Sequence, residues 1–195
     1  MTDLVIQKGK TFERVIRWES QPFIYVPITG VQLKAPVEII APTHNIPDGW
    51  RVIVVSVKGT TELNTIKPPK AKDFKRVTVL GPDLVALNTV NASEFSEYIE
   101  GGYLQHYTPV DITGFIARMM IKDRVGGTIL HGMSSTSGEI TLDAVLKTIT
   151  LTIPALTTQI FPWTKGVYDL EMESPAGVVT AILSGEVEAT EEVTV

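Results

Sequence analysis

Three histidines, a serine run, two glutamates and two charge clusters are the residues of this sequence that could do chemistry. His44, His106 and His131 lie far apart, on or beside predicted turns. None has the His-x-x-x-His spacing by which one helix presents two imidazoles to a metal. Turn or surface histidine is their ordinary reading. Ser134-Ser135-Thr136-Ser137 offers hydroxyls, with Asp111 or Asp143 as conceivable partners, but lacks the Gly-x-Ser-x-Gly elbow. Serines before a glycine are ordinary loop composition. Glu171 and Glu173 share one face of a predicted strand. Paired carboxylates cleave glycosides only at defined separations across a cleft, and the solvated outer face of an alternating strand accounts for this pair. The expectation is a protein that is not an enzyme, with no catalytic residue, cofactor, metal or small-molecule substrate.

Charge offers more. Lys67, Lys70, Lys72, Lys75 and Arg76 fall within ten residues that contain one acid, Asp73, a local sum of +4. Pro68 and Pro69 keep that loop extended and stiff, which lowers the ordering cost of binding. Glu186, Glu188, Glu191 and Glu192 follow Gly185 with no intervening Lys or Arg. The two clusters are complementary, so contact between copies, loop to tail, is a candidate use. Two solvated charge runs are the plainer one. Nucleic acid is not expected as a partner: only Phe74 could stack in the loop and the net charge is −5. Tyr98, Tyr103 and Tyr107, with His106 among them, could line a sugar-binding surface or pack between domains.

These residues sit in a chain of 195 residues, 44% hydrophobic and 20% charged, long enough for one large domain or two small ones. Cysteine is absent, which removes disulfides, thiolate nucleophiles and Cys-based zinc sites together. The N-terminus lacks the apolar stretch of a signal peptide, and no run of about 18 apolar residues occurs. A soluble, cytoplasmically synthesised protein without membrane contact is expected.

Period-two alternation dominates. Phe115, Ala117, Met119 and Ile121 alternate with Arg118 and Lys122; Tyr168, Leu170 and Met172 alternate with Asp169, Glu171 and Glu173. Ile149, Leu151 and Ile153 alternate with threonines, and Val178–Ala189 alternates with Gly185 as an expected bulge. Thr11–Trp18 supplies one earlier strand, with Phe12, Ile16 and Trp18 inward. Pro154–Ile160 predicts one short helical turn. Between about Ala35 and Leu104 proline and lysine concentrate, and strands are expected at Pro36–Ile40, Trp50–Lys58, Arg76–Leu80 and Leu84–Asn88. Strands at this spacing imply an antiparallel sandwich or barrel, with a small β-domain inserted after the first strand.

The middle segment, from Ala35-Pro36-Val37-Glu38-Ile39-Ile40 through Ile46-Pro47-Asp48-Gly49-Trp50 and Leu84-Val85-Ala86-Leu87 to Gly101-Gly102, resembles a known module. That module is the small β-barrel named for the first catalytic cysteine half-domain of ubiquitin-activating enzymes, which recurs in phage structural proteins. No ubiquitin chemistry is implied, because the chain has no cysteine. The remainder resembles tailed-phage virion proteins, including the N-terminal modules of baseplate upper proteins. Asp111-Ile112-Thr113-Gly114-Phe115, Gly138-Glu139-Ile140-Thr141-Leu142 and Gly166-Val167-Tyr168-Asp169-Leu170-Glu171 carry that likeness.

The fold expected is therefore all-β: an immunoglobulin-like β-sandwich from residues 1–30 and 105–195, with a small barrel-like β-domain at 31–104. The resemblance implies a virion structural protein, an adaptor, anchor or decoration that binds capsid, neck, tail or baseplate proteins and further copies of itself. With no receptor-binding or enzymatic extension after Val195, a complete tail fibre or spike is not expected. The alternative is a carbohydrate- or receptor-binding β-sandwich module.

Overall fold

The computed structural model of the chain describes residues 3–191. These divide into two compact units, one made by the chain up to Trp18 and from Asp111 onward, the other by Glu19–Val110. In chain order, β1 (Leu4–Gln7) and β2 (Phe12–Ile16) begin the first unit. The second holds β3 (Glu19–Pro27), β4 (Gly30–Gln32), β5 (Val37–Ile40), β6 (Arg51–Val55), β7 (Lys75–Gly81), β8 (Leu84–Leu87) and β9 (Tyr103–Pro109). The chain returns to the first unit with β10 (Ile116–Lys122), β11 (Ile129–Ser134), β12 (Ile140–Asp143) and β13 (Thr148–Ile153). A single helical turn, α1 (Ala155–Gln159), then precedes β14 (Lys165–Glu173) and β15 (Val179–Thr190). The protein is all-β.

The first unit pairs its strands in two sheets, ordered β1-β15-β14-β10-β11 and β12-β13-β2. All pairings are antiparallel except β1, which runs parallel to β15. This is the immunoglobulin arrangement: β2, β13 and β12 stand as strands B, E and D, and β15, β14, β10 and β11 as G, F, C and C′. Alternation explains why these segments are strands. Ala117, Met119 and Ile121 of β10, Tyr168, Leu170 and Met172 of β14, and Ile149, Leu151 and Ile153 of β13 are all buried. With no cysteine to bridge the sheets, this interdigitated packing holds them together. Gly185 is not the bulge. The register slips three residues earlier, where Leu170 faces Leu183 and Glu171 faces Ala181, leaving Ile182 as the extra residue. Gly185 keeps normal register opposite the large, buried Tyr168.

Asp111 opens the return to this unit. Its Oδ1 accepts hydrogen bonds from Lys147 Nζ (2.8 Å), Thr113 Oγ1 (2.7 Å) and the Thr113 amide (3.2 Å). These donors, the Lys147 ammonium first, hold its carboxyl down at about 2. Below its usual range the group is still ionised, so its contribution to folding is present above about pH 4 and lost as pH falls through about 2. Carboxyl carbon NMR should place the Asp111 midpoint near the lower value, and Lys147→Ala should raise it toward about 3.9. An unmoved midpoint would show that the ammonium is not the cause.

The second unit forms one curled, half-barrel sheet ordered β3-β9-β6-β7-β8-β5-β4. Its core gathers Val37, Ile39, Trp50, Val52, Val54, Val77, Val85, Leu87 and Leu104. Its limits are Glu19 and Val110, wider than the 31–104 read from sequence, because β3 and β9 pair along their length from Glu19↔Pro109 to Pro27↔Tyr103. Pro22 falls where the β3 register slips between Ser20 and Phe23, and β3 is an edge strand, which is where a sheet tolerates proline. Past β6 the ladder is completed by a side chain. Asn64 Oδ1 accepts from the Val57 amide (2.8 Å) and its Nδ2 donates to the Val57 carbonyl (2.9 Å). Asn64→Ala leaves both part-buried groups unpaired and should lower stability by about 1–3 kcal/mol in urea unfolding. A change near zero would mean that water replaces the amide without loss.

Candidate interaction surfaces

The cationic loop rests on a stack of rings. Phe23 lies 4.3 Å from Tyr107, and Tyr107 stacks on Phe74 at 5.6 Å. The Arg51 guanidinium sits 5.3 Å from the Phe74 centroid, a cation–π contact. Glu19 grips the same guanidinium at two points, Nε donating to Oε1 at 2.6 Å and Nη2 donating to Oε2. The Glu19 bond is the leading reason the Arg51 pKa is raised, so this cation stays charged. Phe74 thereby fixes one end of the loop. Asp73 fixes its turn: Asp73 Oδ2 accepts from the Lys70 amide at 2.7 Å, and the Asp73 amide donates to the Lys70 carbonyl at 2.9 Å.

The five cations of the cluster are not equivalent. Lys75 Nζ donates to the Lys72 carbonyl (3.4 Å) and Arg76 Nη1 to the Gly49 carbonyl (3.0 Å). Lys67, Lys70 and Lys72 are exposed and have no acidic partner among the described residues. These three are the ones available to a partner.

The acids lie on β15 of the sandwich. Val187 and Ala189 point into its core, which sends Glu186 and Glu188 outward. With Asp3 and Asp123 they line a shallow groove of about 320 Å3 that holds one cation, Lys165. Glu191 is committed differently, accepting from Lys8 Nζ at 2.6 Å. Glu192 lies outside the described residues. The loop and the acids thus belong to different units of the fold.

Other candidates have structural partners. Glu171 Oε2 accepts from Arg118 Nε at 2.7 Å, and Glu173 Oε2 lies 3.5 Å from Arg118 Nη1, so both carboxylates clasp the guanidinium across β10 and β14. Ser134 Oγ accepts from the Ser137 amide at 3.0 Å, closing the turn after β11, and Ser135 Oγ accepts from the Ala117 amide at 3.1 Å. His131 lies 3.5 Å from Glu139 and 5.2 Å from the Phe161 ring. Among the described residues no three His, Cys, Asp or Glu side chains gather as for a metal.

The other two histidines meet in the half-barrel. His44 and His106 line one cavity, and both are buried. The Ile46 amide donates to His44 Nδ1 (3.0 Å), so the proton is on Nε2, which donates to the Gly81 carbonyl (2.9 Å). Burial, above other influences, lowers the His106 pKa and keeps that ring neutral. Of the tyrosines, Tyr98 donates its hydroxyl to the Ile28 carbonyl (3.0 Å), while Tyr103 meets Tyr25 edge-on at 6.1 Å.

No protein-family model matches this chain, and no curated protein is significantly similar to it. The chemistry of its surfaces must therefore be argued from their own geometry. Sequence reading picked out the lysine loop and the β15 glutamates. It missed the ring stack beneath the loop, because Phe23, Arg51, Phe74 and Tyr107 are distant in sequence and meet only through the pairing of β3, β9, β6 and β7. It also separated His44 from His106. The one available signal was a histidine inside an aromatic, strand-compatible run, Tyr103–Tyr107.

Proposed function

We propose that this chain is a non-enzymatic structural protein of a phage virion, an adaptor, anchor or decoration that binds neighbouring virion proteins and copies of itself. The observation that carries the reading is the braced loop, whose three exposed ammonium groups have no acidic partner among the described residues. Pre-ordered cations lose little freedom on binding, so they favour recognition of an acidic protein surface. The groove rimmed by Asp3, Glu186 and Glu188 is such a surface on a second copy. Repetition by virion symmetry then turns weak contacts into stable attachment. The occupation of Glu171 and Glu173 by Arg118 and the sequence resemblance to virion proteins support the same reading.

The test is gold labelling of intact particles with antibodies to the Lys67–Arg76 loop and to the C-terminus. Label at one defined place is expected from at least one antibody. Particles bare to both, while free protein binds each, would overturn the virion assignment. Lys67→Glu, Lys70→Glu and Lys72→Glu together should strip the protein from particles without changing its unfolding midpoint. Retention at wild-type level would remove the loop from the attachment.

A further inference from the structure

The sandwich carries an apolar hollow beside its acidic groove. This cavity, of about 360 Å3, is lined by Met120, Lys122, Val125, Val167, Asp169 and Glu186 among others. The strand register places its sheet residues on one face. Lys122 stands opposite Val167 and Val167 opposite Glu186; two residues along, Met120 stands opposite Asp169 and Asp169 opposite Ser184. The intervening Ile121, Tyr168 and Val187 are buried in the core, so the alternate positions form the outer face.

Hollow and groove share Val167 and Glu186 as lining, so they adjoin as one trough. Their chemistry differs. Met120 and Val167 floor the hollow, and Val125, 90% exposed in the turn after β10, stands beside it. A Cβ at Gly132 would lie 3.3 Å from the Met120 sulfur, so the absence of a side chain there gives the thioether room. Being unbranched, it can repack around an incoming apolar group. Across the whole trough, Asp3, Asp123, Asp169, Glu186 and Glu188 face two ammonium groups, those of Lys122 and Lys165. An apolar pit joined to an acidic rim fits a segment in which an apolar side chain adjoins cations.

The lysine loop is such a segment. Ile66 immediately precedes Lys67 and is 86% exposed, so it fills no cavity of its own chain. Single exposed apolar residues are common. This one adjoins Lys67, Lys70 and Lys72 on the loop that Phe74 and Asp73 brace. Dimensions agree as well. Ile66 and Lys70 are at most about 14 Å apart in extended chain. Met120 and Glu186 lie about 12 Å apart, two strands across and two residues along.

We propose that Ile66 of one copy plugs the hollow of a second copy, while Lys67 and Lys70 of the same loop face Glu186 and Glu188. The proposal rests on the loop-to-groove reading above and names its anchor: the buried isoleucine supplies affinity, and the charges orient the approach. Loop and trough are different surfaces, so association runs head to tail.

The experiment is carbon NMR of the full chain labelled at the methionine methyls, from about 20 µM to about 1 mM, a range suited to weak contacts. The Met120 methyl should shift with concentration toward a plateau, while the buried Met119 and Met172 stay fixed. Ile66→Asp should abolish the shift, and Ile66→Ala should weaken association at least about tenfold, neither changing the unfolding midpoint. Glu186→Lys with Glu188→Lys removes the rim instead. The decisive arm mixes labelled Ile66→Asp, whose trough is intact, with the unlabelled rim variant, whose loop is intact. Neither associates alone, and mixing should restore the Met120 shift. A Met120 signal flat at every concentration would overturn the proposal. So would a shift that survives Ile66→Asp, or silence on mixing. The virion assignment fails separately: labelled particles with a silent Met120 would remove this contact alone, and bare particles with a moving Met120 the assignment alone.

Discussion

Trp50→Ala should unfold the half-barrel at a far lower denaturant concentration than the native chain, with about 3–5 kcal/mol lost. Trp50 is wholly buried at the end of the Ile46–Gly49 turn, in a core made with Val52, Val77, Leu87 and Leu104. Its backbone is held as firmly: the Trp50 amide donates to the Pro47 carbonyl (3.1 Å), and the Val77 amide donates to the Trp50 carbonyl (2.9 Å). Little around it can collapse into the space left by the indole, so the cavity cost adds to the lost burial. Indole Nε1 also donates to the Tyr107 carbonyl at 3.2 Å. Trp50→Phe keeps most of the buried area and should cost less, the remainder reflecting that carbonyl. The loss is large beside the 5–15 kcal/mol of a typical domain. Hydrogen exchange read separately over the two units is the measurement, because β10, β13 and β14 amides should keep their protection. Unchanged protection across β5 to β8 would refute the placement of Trp50 at the centre of this core.

Gly59→Ala should damage the same unit by about 2–4 kcal/mol through the backbone. Gly59 has φ +89, and a Cβ there would stand 2.0 Å from the Glu97 carbonyl oxygen and 2.7 Å from the Ile99 amide. Both contacts are main chain, so no rotamer change relieves them. The neighbouring bonds would open with them: the Lys58 amide donates to Glu100, and the Ile99 amide to Lys58, each at 3.0 Å. Gly126 is the control. It also has positive φ (+72), but its Cβ would meet open space, so Gly126→Ala should show the conformational cost alone, about 1–2 kcal/mol. Equal losses at the two glycines would mean that the close approach at Gly59 relaxes freely.

Legibility in the sequence followed burial. Strands β10, β13 and β14 expose one face and bury the other, so alternation marks them; β6 is a continuous apolar run because Val52 to Val55 are buried on both faces. Strand β3 was invisible. Of its nine residues, only Val26 is fully buried and two are proline, so neither period nor composition marks it, and the insert boundary drawn at residue 31 missed the first strand. Which strand pairs with which is a long-range fact, and the parallel seam of β1 on β15 joins residues at opposite ends of the chain. The loop cations were legible because charge clusters are local. The pairing of Ile24 with His106, which brings that ring to β3, was not.

The antiparallel partnership of Glu19 with Pro109 has a consequence for the history of such a chain. The two ends of the half-barrel leave it side by side, about 5 Å apart at facing strand positions. To the B–C connection of the host sandwich, ninety-odd residues therefore present the span of a tight turn, and closing the host across them costs little chain entropy. Such a segment can be gained, dropped or exchanged as a cassette. Selection could replace what the sandwich displays while leaving the sandwich sequence almost untouched.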